Sequence, residues 1–155
     1  MKTVCHNRFE FESLFNKTVT AGFDGGKISS DGGSLLLREL DLRHKVIDQV
    51  ARALHDRRAP HRIHHELVTL LRQRIFGIAL GYEDTNDHTT LRKDPVLKTA
   101  CGCLPENDED LGSQPTLSRL ENQVTAKELI HLSRNLFSLY LLAHQRKRDV
   151  IIVDL

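Results

Sequence analysis

Three stretches of this chain repeat apolar side chains every three to four residues, and no other feature constrains its fold as much. The first carries Leu35, Leu36, Leu37 and Leu40, then Val46, Ile47, Val50 and Leu54. The second carries Leu67, Leu70, Leu71, Ile75, Ile78 and Ala79, widened by Phe76 and Leu80. The third carries Leu129, Ile130, Leu132, Leu136, Phe137, Tyr140 and Leu141. A stripe at this spacing lies on one face of an α-helix. Helices are therefore predicted over 34–55, with a break near Arg43-His44, over 63–80 and over 126–144, each burying its stripe. The expected fold class is mainly α.

The residues between these stretches supply the breaks. Asp31 can cap the first helix, and Pro60 ends it after a charged loop. Gly81 suits the carboxyl-terminal cap of the second. Pro95 can open a short helix through Ala100. Residues 102–115 are polar and turn-rich, and Thr116 can cap a short helix through Asn122. Near the amino end, Thr18–Phe23 is β-prone and Lys27-Ile28-Ser29 can return. Asp24-Gly25-Gly26 between them offers the positive φ of a tight turn, so a small β-hairpin is expected over 18–29.

Charge is unevenly placed. The net charge is +1, yet residues 51–74 hold Arg52, Arg57, Arg58, Arg62, Arg72 and Arg74 against Asp56 and Glu66, a local balance of +4. His55, His61, His64 and His65 share this stretch, and Glu106, Asp108, Glu109 and Asp110 offset it in the total. A near-neutral chain can thus present a basic face to phosphates. The cysteines, Cys5, Cys101 and Cys103, are odd in number, and a Cys-x-Cys pair frames a disulfide poorly, which fits a reducing cytoplasm. The amino terminus has no signal-peptide core, and no apolar run is long enough to span a membrane.

The chain closes on Val150-Ile151-Ile152-Val153-Asp154-Leu155. Consecutive β-branched residues predict a strand buried on both faces, and a carboxylate at its tip needs a reason. A hard cation such as Mg²⁺ is one; a loop cap or an arginine pair is another.

Four blocks, in order, give these features a context. They are Asp24-Gly-Gly-Lys-Ile-Ser-Ser-Asp-Gly-Gly-Ser-Leu-Leu-Leu-Arg-Glu-Leu40, Arg72-Gln-Arg-Ile-Phe-Gly-Ile-Ala-Leu-Gly-Tyr-Glu-Asp-Thr-Asn-Asp-His88, Leu91-Arg-Lys-Asp-Pro95 and Gln114-Pro-Thr-Leu-Ser-Arg-Leu-Glu-Asn122. The chain from about residue 18 resembles the amino-terminal part of the DDE transposases of bacterial insertion sequences. The resemblance implies DNA transposition, with Mg²⁺ held by three separated carboxylates on an RNase-H-like domain. Val150–Asp154 resembles that domain's opening strand, which makes Asp154 the candidate catalytic residue and metal ligand. Family members continue with another aspartate two residues on, which this sequence lacks, so either position can be the ligand. The implied organisation is an amino-terminal segment with the hairpin (1–32), a helical DNA-binding region (33–145) and the first strand of a truncated catalytic domain (146–155). The implied partner is transposon-end DNA, with homodimer contacts a further expectation. The 155-residue chain is expected to bind DNA without cleaving it.

Two groups of residues are candidate DNA contacts. Thr116, Ser118 and Arg119 have the chemistry of a recognition helix, with Leu117 and Leu120 facing inward. Arg57, Arg58 and Arg62 form a candidate phosphate surface. An ordinary surface helix and a solvated charge run account for the same residues, and a helical protein-interaction module, or an inactive remnant competing with intact transposase, remains the rival function. Four other motifs fail on spacing. Cys101-x-Cys103 with His88 lacks paired zinc ligands, and His61–Glu66 lacks the second histidine of a zinc helix. Gly25-Gly26-Lys27 lacks the hydroxyl residue of a phosphate loop, and Asp84-x-Asn86-x-His88 lacks the glycine and glutamate of a calcium loop.

Overall fold

In a computed structural model, residues 8–22, 31–106 and 109–143 are described. They form two antiparallel strands followed by helices, so the mainly α expectation holds. The strand expected over 150–154, its Asp154 and the turn expected at 24–26 lie outside the described residues.

The hairpin pairs β1 (Arg8–Leu14) with β2 (Lys17–Gly22). β2 is close to the first predicted strand and pairs with a strand upstream of it that was not expected, while the return strand expected at 27–29 lies outside the described residues. The turn falls at Phe15-Asn16, where Phe15 adopts φ 53°. No glycine marks this turn, so the sequence offered a stronger turn signal elsewhere. The hairpin docks on α1 (Gly33–His44) through Arg38, whose guanidinium donates to the carbonyls of Glu12 at 2.5 Å and Ser13 at 3.0 Å.

α1 and α2 (Val46–Ala53) are separated by one residue, Lys45, at φ 54°. This is the break expected near Arg43-His44. A left-handed residue with a Cβ costs about 1 kcal/mol, and Asp41 helps to offset it. Its buried carboxylate accepts the Ile47 N–H at 2.8 Å and the Arg72 Nε at 2.9 Å, fastening α1, α2 and α3 together. Asp31 differs from its expected use: its carbonyl closes the turn into α1, and its carboxylate accepts the Tyr82 hydroxyl at 3.0 Å.

α3 (Leu67–Ala79) is the central helix. Leu70 is fully buried, and Leu71, Gln73 and Phe76 are buried beside it. Ile78 and Ala79, expected inside, are exposed, because the buried face runs through Gln73 and Gly77 instead. Gly81 caps the helix as expected. At φ 97° its N–H donates to Ile78, and the next N–H, of Tyr82, reaches back to Gly77. A turn at Thr85–Asp87, α4 (His88–Leu91) and α5 (Pro95–Ala100) follow. The Asp94 carboxylate caps α5 by accepting the Leu97 N–H at 2.7 Å. One core of Ile47, Val50, Leu71, Phe76, Leu91, Leu97, Ala100, Cys101 and Leu111 unites these elements.

α6 (Gln114–Asn122) and α7 (Ala126–Ala143) complete the described chain. α7 packs against α2, but the face expected inside is not. Leu129, Ile130, Leu136, Phe137, Tyr140 and Leu141 are exposed, while Glu128 is buried and Leu132, Asn135 and Leu139 are half-buried. The packed stripe is narrower and more polar than the apolar one, so periodicity alone selected the wrong face. No described helix is long and apolar enough to cross a membrane.

Candidate nucleic-acid interface

The loop before α3 and one face along the length of α6 (Gln114–Asn122) line an open groove of about 760 Å³. Arg58, Ala59, Arg62, His64 and His65 line one side. Ser113, Thr116, Arg119, Leu120 and Gln123 line the other, and Arg92, Glu109 and Asp110 complete it. The two groups of expected DNA contacts therefore share one cleft, although more than fifty residues separate them in sequence. With both histidines neutral, four arginines against two carboxylates leave the groove a charge of +2.

Buried polar contacts fix α6 on this site. Gln73 Nε2 donates to the Gly112 carbonyl at 2.9 Å and lies 3.3 Å from His88 Nδ1. A Cβ on Gly112 would sit 2.5 Å from Leu70 Cδ2, so the chain passes there only without a side chain. His88 is fully buried, and a Cβ on Gly77 would meet its ring at 2.8 Å. Burial holds the His88 imidazole below its ordinary pKa, and Arg74 adds to this. From α3, Arg74 ties down the helix itself through an ion pair with Glu121.

Thr116 is not the cap of α6. The helix starts two residues earlier, with Ser113 at the cap position and Pro115 in the first turn, where its missing N–H costs nothing. Thr116 Oγ1 instead lies 3.0 Å from Ser113 Oγ, and both line the groove. Leu117 is fully buried and Leu120 half-buried, as expected. Arg119 is exposed and makes no ion pair among the described residues. Ser118 lies outside the groove lining, and its hydroxyl accepts from Asn122 at 3.4 Å.

The arginines of the basic stretch divide by partner. Arg58 grips Asp56 with two hydrogen bonds, Nε to Oδ1 at 2.8 Å and Nη2 to Oδ2 at 2.7 Å, and donates to the His65 carbonyl at 2.8 Å. The Arg58 side chain thereby holds the Asp56 carboxyl below its ordinary pKa. Arg57 lies outside the groove lining and pairs with Glu128 at 3.1 Å. Glu128 also accepts from the Thr125 hydroxyl at 2.6 Å, the Thr125 N–H at 2.8 Å and the His55 N–H at 2.8 Å. The Thr125 contacts contribute most to holding its carboxyl far below the ordinary value. Arg72 is taken by Asp41 and Arg74 by Glu121. Arg52 and Arg62 are exposed without an ion pair among the described residues. Much of the local +4 is thus spent on internal structure.

His64, His65, Arg92, Ser113 and Gln123 also line the groove but were not singled out from sequence. The histidines neighbour the arginine run, which was a usable signal. Arg92 gave none, since its place beside Arg58 depends on the packing of α4 and the Leu111 segment. Burial holds the His65 imidazole below its ordinary pKa, with the Glu109 charge acting in the opposite sense.

Among the described residues, no group of three histidine, cysteine, aspartate or glutamate side chains is placed to hold a metal ion. No match is found among curated proteins or solved structures. A family model described as the transposase DDE domain, group 1, matches residues 11–155. That span takes in most of the hairpin, the helices that build the groove and Asp154, and the chain belongs to this transposase family.

Proposed function

We propose that this chain is the amino-terminal part of a bacterial insertion-sequence transposase and that it binds transposon-end DNA through the groove between the Arg58–His65 loop and α6. One observation carries the reading: Arg58, Arg62, Thr116 and Arg119, from distant parts of a transposase-family chain, line a single basic cleft. Arg62 and Arg119 offer guanidinium groups to phosphates or base edges, and Ser113 and Thr116 add hydroxyls. Arg58 shapes the wall while held by Asp56. The proposed organisation is a hairpin segment (1–32), the DNA-binding helical region (33–145) and the opening strand of an RNase-H-like domain (146–155), in a cytoplasmic protein.

In this reading Asp154 is a candidate for one of the carboxylates that hold Mg²⁺ in the complete family enzyme, the aspartate position two residues on being the alternative. The described residues do not fit a metal centre, and we assign no metal-dependent step to them. The 155-residue chain binds DNA without cutting it. A gel shift with duplexes carrying the terminal repeats that flank the gene, in parallel with a nicking assay in Mg²⁺, tests both statements. Retarded but intact DNA is the expected result. Absence of binding overturns the groove reading, and Mg²⁺-dependent nicking overturns the statement that the chain does not cut.

The exposed apolar face of α7 favours a second reading, contact with protein. Exposed large side chains along one helix mark an interaction surface more often than isolated ones do. A homodimer, a competitor of intact transposase and a covering catalytic domain all fit such a face. Sedimentation of the purified chain, with and without Leu136→Glu, distinguishes self-association from the others.

A further inference from the structure

We propose that Glu109 and Asp110 form a charge filter inside the groove, keeping phosphate from Arg92 and confining it to Arg62 and Arg119. This inference deepens the DNA-binding reading above and rests on it.

Asp110 lies with Oδ2 3.4 Å from Arg92 Nη2 and Oδ1 3.6 Å from Lys98 Nζ. Lys98 is buried, so the Asp110 carboxylate lies close to a buried ammonium as well as to Arg92 and is held in place by both. Glu109 is exposed and makes no hydrogen bond or ion pair among the described residues, leaving its charge directed at the groove. Its field reaches the His65 imidazole, which also lines the groove.

The backbone that follows the two acids is anchored. Leu111 is almost wholly buried, and its N–H donates to the Arg92 carbonyl at 3.0 Å. Gly112 follows in close contact with Leu70 and Gln73. Asp110 is therefore a held part of the wall, and Glu109 adds its charge beside it. A phosphate approaching Arg92 meets two like charges, whereas Arg62 and Arg119 are tied by no acid among the described residues. Such an arrangement lowers affinity for DNA in general and leaves discrimination to the remaining contacts.

The test is fluorescence anisotropy with a random-sequence 20-base-pair duplex across a salt series, using the full chain. Glu109→Gln/Asp110→Asn should tighten binding about tenfold and steepen the logarithmic salt dependence by about one, the signature of one added phosphate contact. Glu10→Gln, which removes an exposed charge on β1, should change affinity less than about twofold. Glu109→Gln alone, which breaks no contact among the described residues, should tighten binding about threefold and carries the test if Asp110→Asn disturbs folding. Tightening no larger than that of Glu10→Gln overturns the filter, as does weaker binding by folded Glu109→Gln. If wild type binds and Arg62→Ala/Arg119→Ala does not, the groove reading stands whatever the acids do. If wild type and every variant fail to bind, the groove reading falls and the filter with it.

Discussion

Arg58 and Arg62 stand four positions apart and line the same groove, but the fold uses them in opposite ways. Arg58 is clamped by Asp56 and the His65 carbonyl, and Arg57 beside it by Glu128. Arg62 is exposed and unpaired among the described residues, as is Arg119 across the cleft. A phosphate reaching Arg58 would compete with a two-point carboxylate contact already in place. A phosphate reaching Arg62 or Arg119 displaces no ion pair among the described residues. A run of arginines in sequence therefore states how much positive charge is present, and the tertiary partners decide how much is available.

The largest effect should come from the available pair. Arg62→Ala/Arg119→Ala should weaken DNA binding by about 10- to 100-fold and flatten the logarithmic salt dependence by about two, one for each phosphate contact removed. Anisotropy titrations across a salt series measure both. If the salt slope stays unchanged, these side chains do not meet phosphate.

The clamped pair should affect stability first. Arg58→Ala leaves Asp56 half-buried without its partner and should cost about 1–2 kcal/mol of folding free energy, read by urea denaturation. DNA affinity of the folded variant should change less than about threefold, a smaller effect than losing one free phosphate contact. A large affinity loss without destabilisation would reverse the assignment.

Glu128 sharpens the same contrast through pH. Its folded pKa lies below the unfolded one, so its contribution is fully present above the ordinary value near 4.5 and is lost as pH falls below it. Glu128→Gln should therefore lower the melting temperature at pH 7, and the difference from wild type should shrink as pH drops from about 5 to 3. A difference independent of pH would mean that the carboxylate charge is not what holds Arg57.

Ser118→Ala should do least. Its hydroxyl meets Asn122 on its own helix and lies outside the groove lining, so DNA affinity should change less than about twofold. A tenfold loss would place the α6 contact surface on a different face.

The sequence made some of this legible for identifiable physical reasons. Helix ends were readable where a single local device decides them, as with Gly81 at positive φ and Pro95 at the start of α5. The near-neutral total did not hide the basic stretch, because charge is a local count. The buried face of α7 was misread because apolar spacing reports which side can be buried, not which side has a neighbour. The upstream strand of the hairpin was missed for a similar reason: its turn, at Phe15-Asn16, carries no glycine and no Asn-Gly or Asp-Gly pair to announce it. The groove itself was half legible. Its arginines and hydroxyls were visible as two separate groups, but their meeting depends on Gln73 holding the Gly112 carbonyl and on Arg74 holding Glu121. Such long-range contacts leave no spacing pattern. The same holds for Asp41, whose buried carboxylate joins three helices and looks ordinary in sequence.

Arginine-selective chemical labelling of the intact chain, read by mass spectrometry with and without a saturating random-sequence duplex, tests the division of the arginines most directly. The account predicts that Arg62 and Arg119 label quickly in the free chain and are protected together by DNA, while clamped Arg58 labels slowly in both states. Rapid labelling of Arg62 and Arg119 that DNA leaves unchanged would contradict it, as would protection by DNA that falls on Arg58 alone.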